Sequence, residues 1–326
     1  MSQPMMKIAY LLRVRPDLEA ITPPDVDGVR IQVGDDGRYS AADLEKVADV
    51  DAFVIGMEPV NEQILAAARR LKIVQRLGVG YETLDLEACA RHGVPACNIE
   101  GVNKEAVAEH AMMLILALAK RLLDANAFIQ KADWAGARRL TTQTFEIKDK
   151  TLGIVGLGDT GSALAKRAAA FEMKLLYDDV RDVNDALARQ LGARRVDKST
   201  LFAESDIVAI CTDLNPTSRN MIDAAALARM RPHVHLVCCA RGGIVDEAAL
   251  AAALKAGRIA AAGIDVFETE PLKPDNPLIG LPNCILTGHV AGVASDTTAR
   301  IWAWAHDNVR AVVLRGEKPR WVRNGV

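Results

Sequence analysis

The sequence predicts an α/β protein made of two doubly wound parallel-sheet domains. Short apolar runs alternate with alanine-rich runs along almost all of its 326 residues, the pattern of parallel strands joined by helical crossovers. The alternation restarts near residue 98, giving two series. A chain of this length can bury two separate cores.

In the first series "KIAYLL", "AFVIG" and "IVQRLGVG" read as strands, with "AADLEKVA" and "NEQILAAARRL" as the helices between them. The second series opens on a long helix, roughly 103–123. Its apolar stretch "AMMLILALA" is too short to cross a bilayer and reads as a buried helix at a subunit contact. "TLGIVGLG", "KLLYDD", "DIVAICT", "HLVCCA", "AAGIDVF" and "CILTGH" follow as strands. The last helix, "DTTARIWAWAHDNVRAVVLRG", is expected to return to the first domain. The predicted organisation is a discontinuous domain, 1–98 plus 291–326, with a second domain, 99–290, inserted into it. A cleft between two such domains is a natural ligand site.

Half of the residues are hydrophobic, a quarter are charged, and the formal net charge is −2. Nothing in that balance calls for nucleic acid or a membrane surface. The six cysteines, Cys89, Cys97, Cys211, Cys238, Cys239 and Cys284, form no C-x-x-C pair and no metal-site spacing. They read as small buried side chains in a reducing cytosol. The N-terminal "MSQPMMKIAYLLRVRP" lacks the apolar length and cleavage site of a secretory leader. A cytoplasmic protein is expected.

The most informative stretch is "IVGLGDTGSALA". A strand ends at Gly156, Gly158 and Gly161 follow in G-x-G-x-x-G spacing, and a helix starts at once. The first glycine permits a tight turn, the second lets backbone approach a pyrophosphate, and the third lets helix pack on strand. The helix follows in "TGSALAKRAAAF", with Asp159 and Thr160 at the turn into it, and its N-terminal amides suit a phosphate. The next strand ends in Asp178, seventeen residues after Gly161. A carboxylate there accepts from a ribose diol and repels a 2′-phosphate, favouring NAD over NADP. Arg181 nearby keeps NADP as the second choice.

Three later stretches place reactive side chains at strand ends: "CCARGGIVDE" with Arg241, "AAGIDVFETEP" with Asp265 and Glu270, and "LTGHVAG" with His289. Ligands of a doubly wound sheet sit beyond such ends. The order GLGDTG, ARGGIVDE, DVFETEP, HVAG, with "RLGVGYETLDL" and "VNKEAVAEH" upstream, resembles the D-isomer-specific 2-hydroxyacid dehydrogenases over nearly the whole chain.

That resemblance implies a flavodoxin-like substrate domain and an inserted Rossmann NAD-binding domain. It implies reversible hydride transfer between NAD(H) and a small 2-keto or D-2-hydroxy acid of the glyoxylate or hydroxypyruvate type. Arg241 would bind the carboxylate and polarise the carbonyl. His289 would be the acid and base, and Glu270 would fix its tautomer and favour the imidazolium. Asp265 would hold the nicotinamide carboxamide. The amides of Val79 and Gly80 would cradle the substrate carboxylate, Asn103 would line the site, and Val107 would touch the nicotinamide. Cys211, Thr212, Cys239, Ala240 and Gly292 would border the cofactor.

The chain departs from the family pattern around the cofactor. Cys238 and Cys239 precede the Arg-Gly pair where many members have Asn, "CTDLNP" replaces a His-x-Pro loop, and Gly288 replaces the proline before the histidine. Two other readings stay open. Phosphoglycerate dehydrogenation would use Arg76 for the phosphate, although no second basic residue stands clearly beside it and no added C-terminal domain follows. An NAD-sensing corepressor would also retain Arg, Glu and His, but would need longer tails. Glu270 argues against the Gln–His pairing of formate dehydrogenases, and Val79 against the lysine of phosphite dehydrogenases. Substrate side-chain specificity is expected from Gly56–Val60, Trp302 and Trp304. The long helix and the arm "DANAFIQKADWAGA" with Trp134 are expected to form a homodimer contact.

Overall fold

The computed structural model describes residues 5–12, 17–34, 36–81, 83–181 and 185–326. The leader reading of residues 1–16 lies partly outside them. The chain divides into two compact units, Met1–Asn103 with Ser295–Val326, and Lys104–Ala294. The joints lie a few residues beyond the expected 98/99 and 290/291: Ile99 and Val102 pack with Ala305 and Ile301 in a small cluster of the first unit, and Ala291 packs in the core of the second.

The first unit holds five parallel strands, β1 (Met6–Leu11), β2 (Val26–Ile31), β3 (Ala52–Ile55), β4 (Ile73–Arg76) and β5 (Ala96–Cys97), in the order β2-β1-β3-β4-β5. Strand β2 was not foreseen: "VDGVRI" carries a glycine and two charges, and it lies at the sheet edge, where only its end residues Val26 and Ile31 are buried. One sheet face packs under Val47, Ile64, Leu65 and Ala88. The other is covered by the helix Ser295–Arg315, whose Val309, Trp302 and Val312 join Ile8, Tyr10 and Val54. Ser40, Asn61 and Asp85 each cap a short helix by accepting from an amide three residues on.

The second unit holds seven parallel strands, β6 (Thr151–Val155), β7 (Lys174–Asp178), β8 (Arg194–Arg195), β9 (Ile207–Ile210), β10 (His235–Cys238), β11 (Ala261–Ile264) and β12 (Cys284–Leu286). Their order is β12-β11-β10-β9-β6-β7-β8. From β6 the chain runs outward to β8, then returns to β9 on the other side. The strand order therefore reverses between β6 and β9, the point where open sheets of this kind bind ligands.

The expected single helix at 103–123 is two, Lys104–Lys120 and Leu122–Gln130, separated by Arg121 in the left-handed region (φ 49°). No glycine or proline announces that break. It is held by the Arg121 guanidinium, which bonds Asp124 and Gln143. No helix among the described residues is long and apolar enough to cross a membrane. All six cysteines are free thiols. Burial pushes Cys211 and Cys284 up to about 12 and Cys89 and Cys238 to about 11, so they stay protonated near neutrality.

Two buried histidines set an acid limit on stability. Burial lowers His306 and His235 to about 4, with Arg310 adding to the effect at His306 and His233 at His235. His306 bonds the Tyr10 hydroxyl at 2.9 Å and stacks on Trp302. An unfolded histidine takes its proton near pH 6.5 while these native ones wait until about pH 4. Stability is therefore fully present above pH 6.5 and falls as the pH drops toward 4, by about 3 kcal/mol per residue. Replacing His306 by Gln is expected to flatten the fall in Tm between pH 6.5 and 4.5. An unchanged slope would remove His306 as a source of it.

Candidate active site

The glycine loop joins β6 to the helix Asp159–Ala170. Gly156 has φ 91°, and a Cβ built there would lie 3.0 Å from the Cys211 carbonyl and the Thr212 nitrogen. A Cβ on Gly161 would lie 2.0 Å from the Gly156 carbonyl oxygen. Both positions thus require glycine, one for backbone conformation and approach, the other for packing. Gly158 is the N-cap and offers no side-chain cap. Among the described residues no protein group accepts from the amides of Gly158, Asp159 or Thr160, which leaves them for an anion at the helix N-terminus.

Two neighbouring aspartates divide the work at the end of β7. Asp179 is buried and structural: its carboxylate accepts from the Leu157 amide at 2.8 Å and the Arg181 amide at 2.9 Å, clamping the loop. Sequence reasoning missed that role. Asp178 keeps its side chain partly open, 3.6 Å from the Lys198 Nζ, and lines a groove with Gly156, Thr212, Arg181 and Lys198. The groove, the glycine loop and the open amides fit a dinucleotide. Cys211 donates its amide to the Val155 carbonyl, and Cys239 is buried in the core of the second unit.

Arg241, Asp265 and His289 follow β10, β11 and β12, three adjacent strands, so parallel pairing alone gathers them at one sheet edge. A Cβ on Gly242 would overlap the Phe267 carbonyl at 1.7 Å, so the Arg241 turn lies directly against the segment leading to Glu270. The Arg241 Nη1 donates to the Ala240 carbonyl at 2.8 Å. His289 Nδ1 meets Glu270 Oε2 at 2.6 Å, and Glu270 Oε1 accepts from the Phe267 amide at 2.9 Å. Glu270 is thus held at one oxygen and holds the imidazole with the other. The Nε2 of His289 has no protein partner among the described residues. The departure at Gly288 leaves this pair intact; a Cβ there would meet nothing within 4 Å.

Asp265 is fully buried, and both of its oxygens are engaged by protein. Oδ1 accepts from Thr287 Oγ1 at 2.5 Å and the Val290 amide at 3.1 Å, and Oδ2 from the Ala291 amide at 2.9 Å. Its carbonyl takes the His289 amide at 2.7 Å. Asp265 therefore builds the turn that puts His289 at φ 55° and leads on to Gly292. The sequence reading gave Asp265 no part in building this turn. Thr287 and His110, 3.0 Å apart, complete this cluster. His110 stood within the quoted "VAEH" but had been given no role.

Val79, Gly80 and Asn103 belong to the first unit, whereas Val107 lies on the helix Lys104–Lys120 and packs on the second unit's core. Arg76, weighed as a phosphate ligand, is buried, with Nε on the Gly80 carbonyl at 3.0 Å and Nη2 2.6 Å from Met57 Sδ. Trp302 sits in the Tyr10–His306 cluster, and Trp304 stacks on Trp321 at 5.7 Å.

Comparison with known proteins identifies the family of the chain. The profile of the family described as "D-isomer specific 2-hydroxyacid dehydrogenase, NAD binding domain" matches residues 112–291. A glyoxylate reductase of Korarchaeum cryptofilum is 36% identical over 279 residues, 85% of this chain and 83% of that one. A D-3-phosphoglycerate dehydrogenase of Archaeoglobus fulgidus is 38% identical over 250 residues, 76% of this chain but only 46% of the longer relative. The holo D-mandelate dehydrogenase of Rhodotorula graminis superposes with a TM-score of 0.86 at 26% identity, covering 99% of both chains. The chain belongs to the D-isomer-specific 2-hydroxyacid dehydrogenases, a family of NAD-linked oxidoreductases.

Proposed function

We propose that the protein reduces a small unphosphorylated 2-keto acid, glyoxylate or hydroxypyruvate, to the 2-hydroxy acid, the D isomer where a stereocentre forms, using Arg241, Glu270 and His289. The observation that carries this is the 2.6 Å His289–Glu270 pair, which leaves Nε2 open. With Nδ1–H donated to Glu270, Nε2 is the position that gives and takes the proton.

Bound NADH supplies the hydride to the keto carbon. Arg241 binds the carboxylate as a planar cationic fork and polarises the carbonyl. His289 passes its Nε2 proton to the keto oxygen as that oxygen gains charge, and ends as neutral imidazole still bonded to Glu270. In the oxidation direction the same nitrogen takes the hydroxyl proton. The Val79 and Gly80 amides are the proposed cradle for the substrate carboxylate. Asp178 is the ribose acceptor, which favours NADH.

The commitments of Arg76 to Gly80 and Met57 disfavour a phosphorylated acid. The exposed Leu122, Leu123, Ile129 and Trp134 support a homodimer, which light scattering after size exclusion would test. Buried free thiols are consistent with a cytoplasmic setting. The functional test is NADH oxidation at micromolar enzyme against glyoxylate, hydroxypyruvate and 3-phosphohydroxypyruvate. Turnover is expected with the first two. A strong preference for the phosphorylated acid would favour the phosphoglycerate reading. Tight NADH binding without turnover would favour a binding module.

A further inference from the structure

The candidate carboxylate cradle is shaped from behind. In a trans peptide the carbonyl of one residue and the N–H of the next point in opposite directions. The Gly78 carbonyl accepts from the Ile99 amide at 2.9 Å, the Val79 carbonyl from Asn98 Nδ2 at 2.7 Å, and the Gly80 carbonyl from Arg76 Nε at 3.0 Å. Three successive carbonyls are pinned, so the amides of Val79, Gly80 and Tyr81 each turn away from their anchor. Among the described residues no protein group accepts from these three amides. Successive free amides of this kind form an anion-binding concavity.

Asn98 is the central pin, 1% exposed and bonded through every polar group. Its amide donates to the Trp321 carbonyl at 3.3 Å and its carbonyl accepts from Gln75 Nε2 at 3.1 Å. Its Oδ1 accepts from Arg323 Nε at 2.8 Å. Gln75 Oε1 accepts from Asn308 Nδ2 at 2.7 Å, and Asn308 Oδ1 from the Arg320 amide at 2.9 Å. Arg323 also pairs with Glu100 and lies 5.4 Å over the Tyr81 ring. A buried polar network is costly unless complete; this one runs from the C-terminal segment 320–323 and ends on the loop 78–80.

We propose that Asn98 and Arg323 are positioning residues for the substrate carboxylate: the C-terminal segment orients the cradle amides through the relay Arg323–Asn98–Val79. The cationic Arg323 fixes which end of the Asn98 amide is oxygen and so aims Nδ2 at Val79. Without it, a flipped amide would set oxygen against the Val79 carbonyl. This inference rests on the cradle reading proposed above.

The test compares Arg323→Ala, Arg323→Lys and, as a control from the same end of the chain, Arg315→Ala, whose partners are Glu317 and Asp307. For Arg323→Ala the KM for glyoxylate is expected to rise roughly tenfold, with kcat and NADH affinity little changed and with substantial recovery in Arg323→Lys. In parallel, oxamate is titrated into the 15N-labelled protein with NADH. It should shift the Val79, Gly80 and Tyr81 amide signals, at higher concentration in Arg323→Ala. If wild type shows those shifts while Arg323→Ala keeps both the wild-type KM and the wild-type oxamate titration, the relay is wrong and the cradle stands. The same holds if the variant only loses Tm. If oxamate binds wild type without moving any of the three amides, the cradle reading falls and the relay with it.

Discussion

His289→Ala is expected to lower kcat for keto-acid reduction by about 10²–10⁴, the usual worth of a positioned general acid, with NADH affinity and Tm close to wild type. The side chain is nearly half exposed, so its loss opens no core cavity. Its principal contact is the Glu270 carboxylate, and Glu270 keeps its second anchor on the Phe267 amide. Steady-state rates with fluorescence titration of NADH check this. A variant turning over at the wild-type rate would remove His289 from the chemistry and leave Glu270 without a function.

Gly161→Ala is expected to abolish tight cofactor binding. Its Cβ would lie 2.0 Å from the Gly156 carbonyl oxygen, backbone against a fixed loop, so helix and loop must separate. Overpacking of that kind costs about 1–3 kcal/mol. The displacement falls on the helix N-terminus that faces the pyrophosphate, and NADH affinity should drop at least about tenfold. Gly288→Ala is the contrast, since a Cβ there meets nothing within 4 Å; it should bind NADH normally. Equal affinity in all three proteins would mean that the loop does not hold the dinucleotide.

What was legible in the sequence follows from how locally it is determined. Gly156 and Gly161 were readable because a tight turn and a close approach admit one residue type. Arg241, Asp265 and His289 were readable because parallel strands put their C-terminal ends together whatever the rest does. Strand β2 was not readable, being polar at a sheet edge. Arg121 was not, because a left-handed residue other than glycine leaves no signal. The split between Asp178 and Asp179 turns on which carboxylate faces inward, and adjacent acids look alike in sequence. The Asp265 bonds to Val290 and Ala291 and the Arg323–Asn98 bond join positions 25, 26 and 225 residues apart; only the folded chain shows them. The buried hydrogen bonds of Arg76 to Gly80 and Met57 were not readable either, because they cannot be seen from its sequence neighbours.

The central claim is that Arg241, Glu270 and His289 serve one bound keto acid. A crystal structure of the ternary complex with NADH and oxamate tests it most directly. The account predicts His289 Nε2 within about 3 Å of the oxamate carbonyl oxygen, with the Arg241 guanidinium on the inhibitor and Glu270 still on Nδ1. Oxamate bound away from both side chains would contradict it.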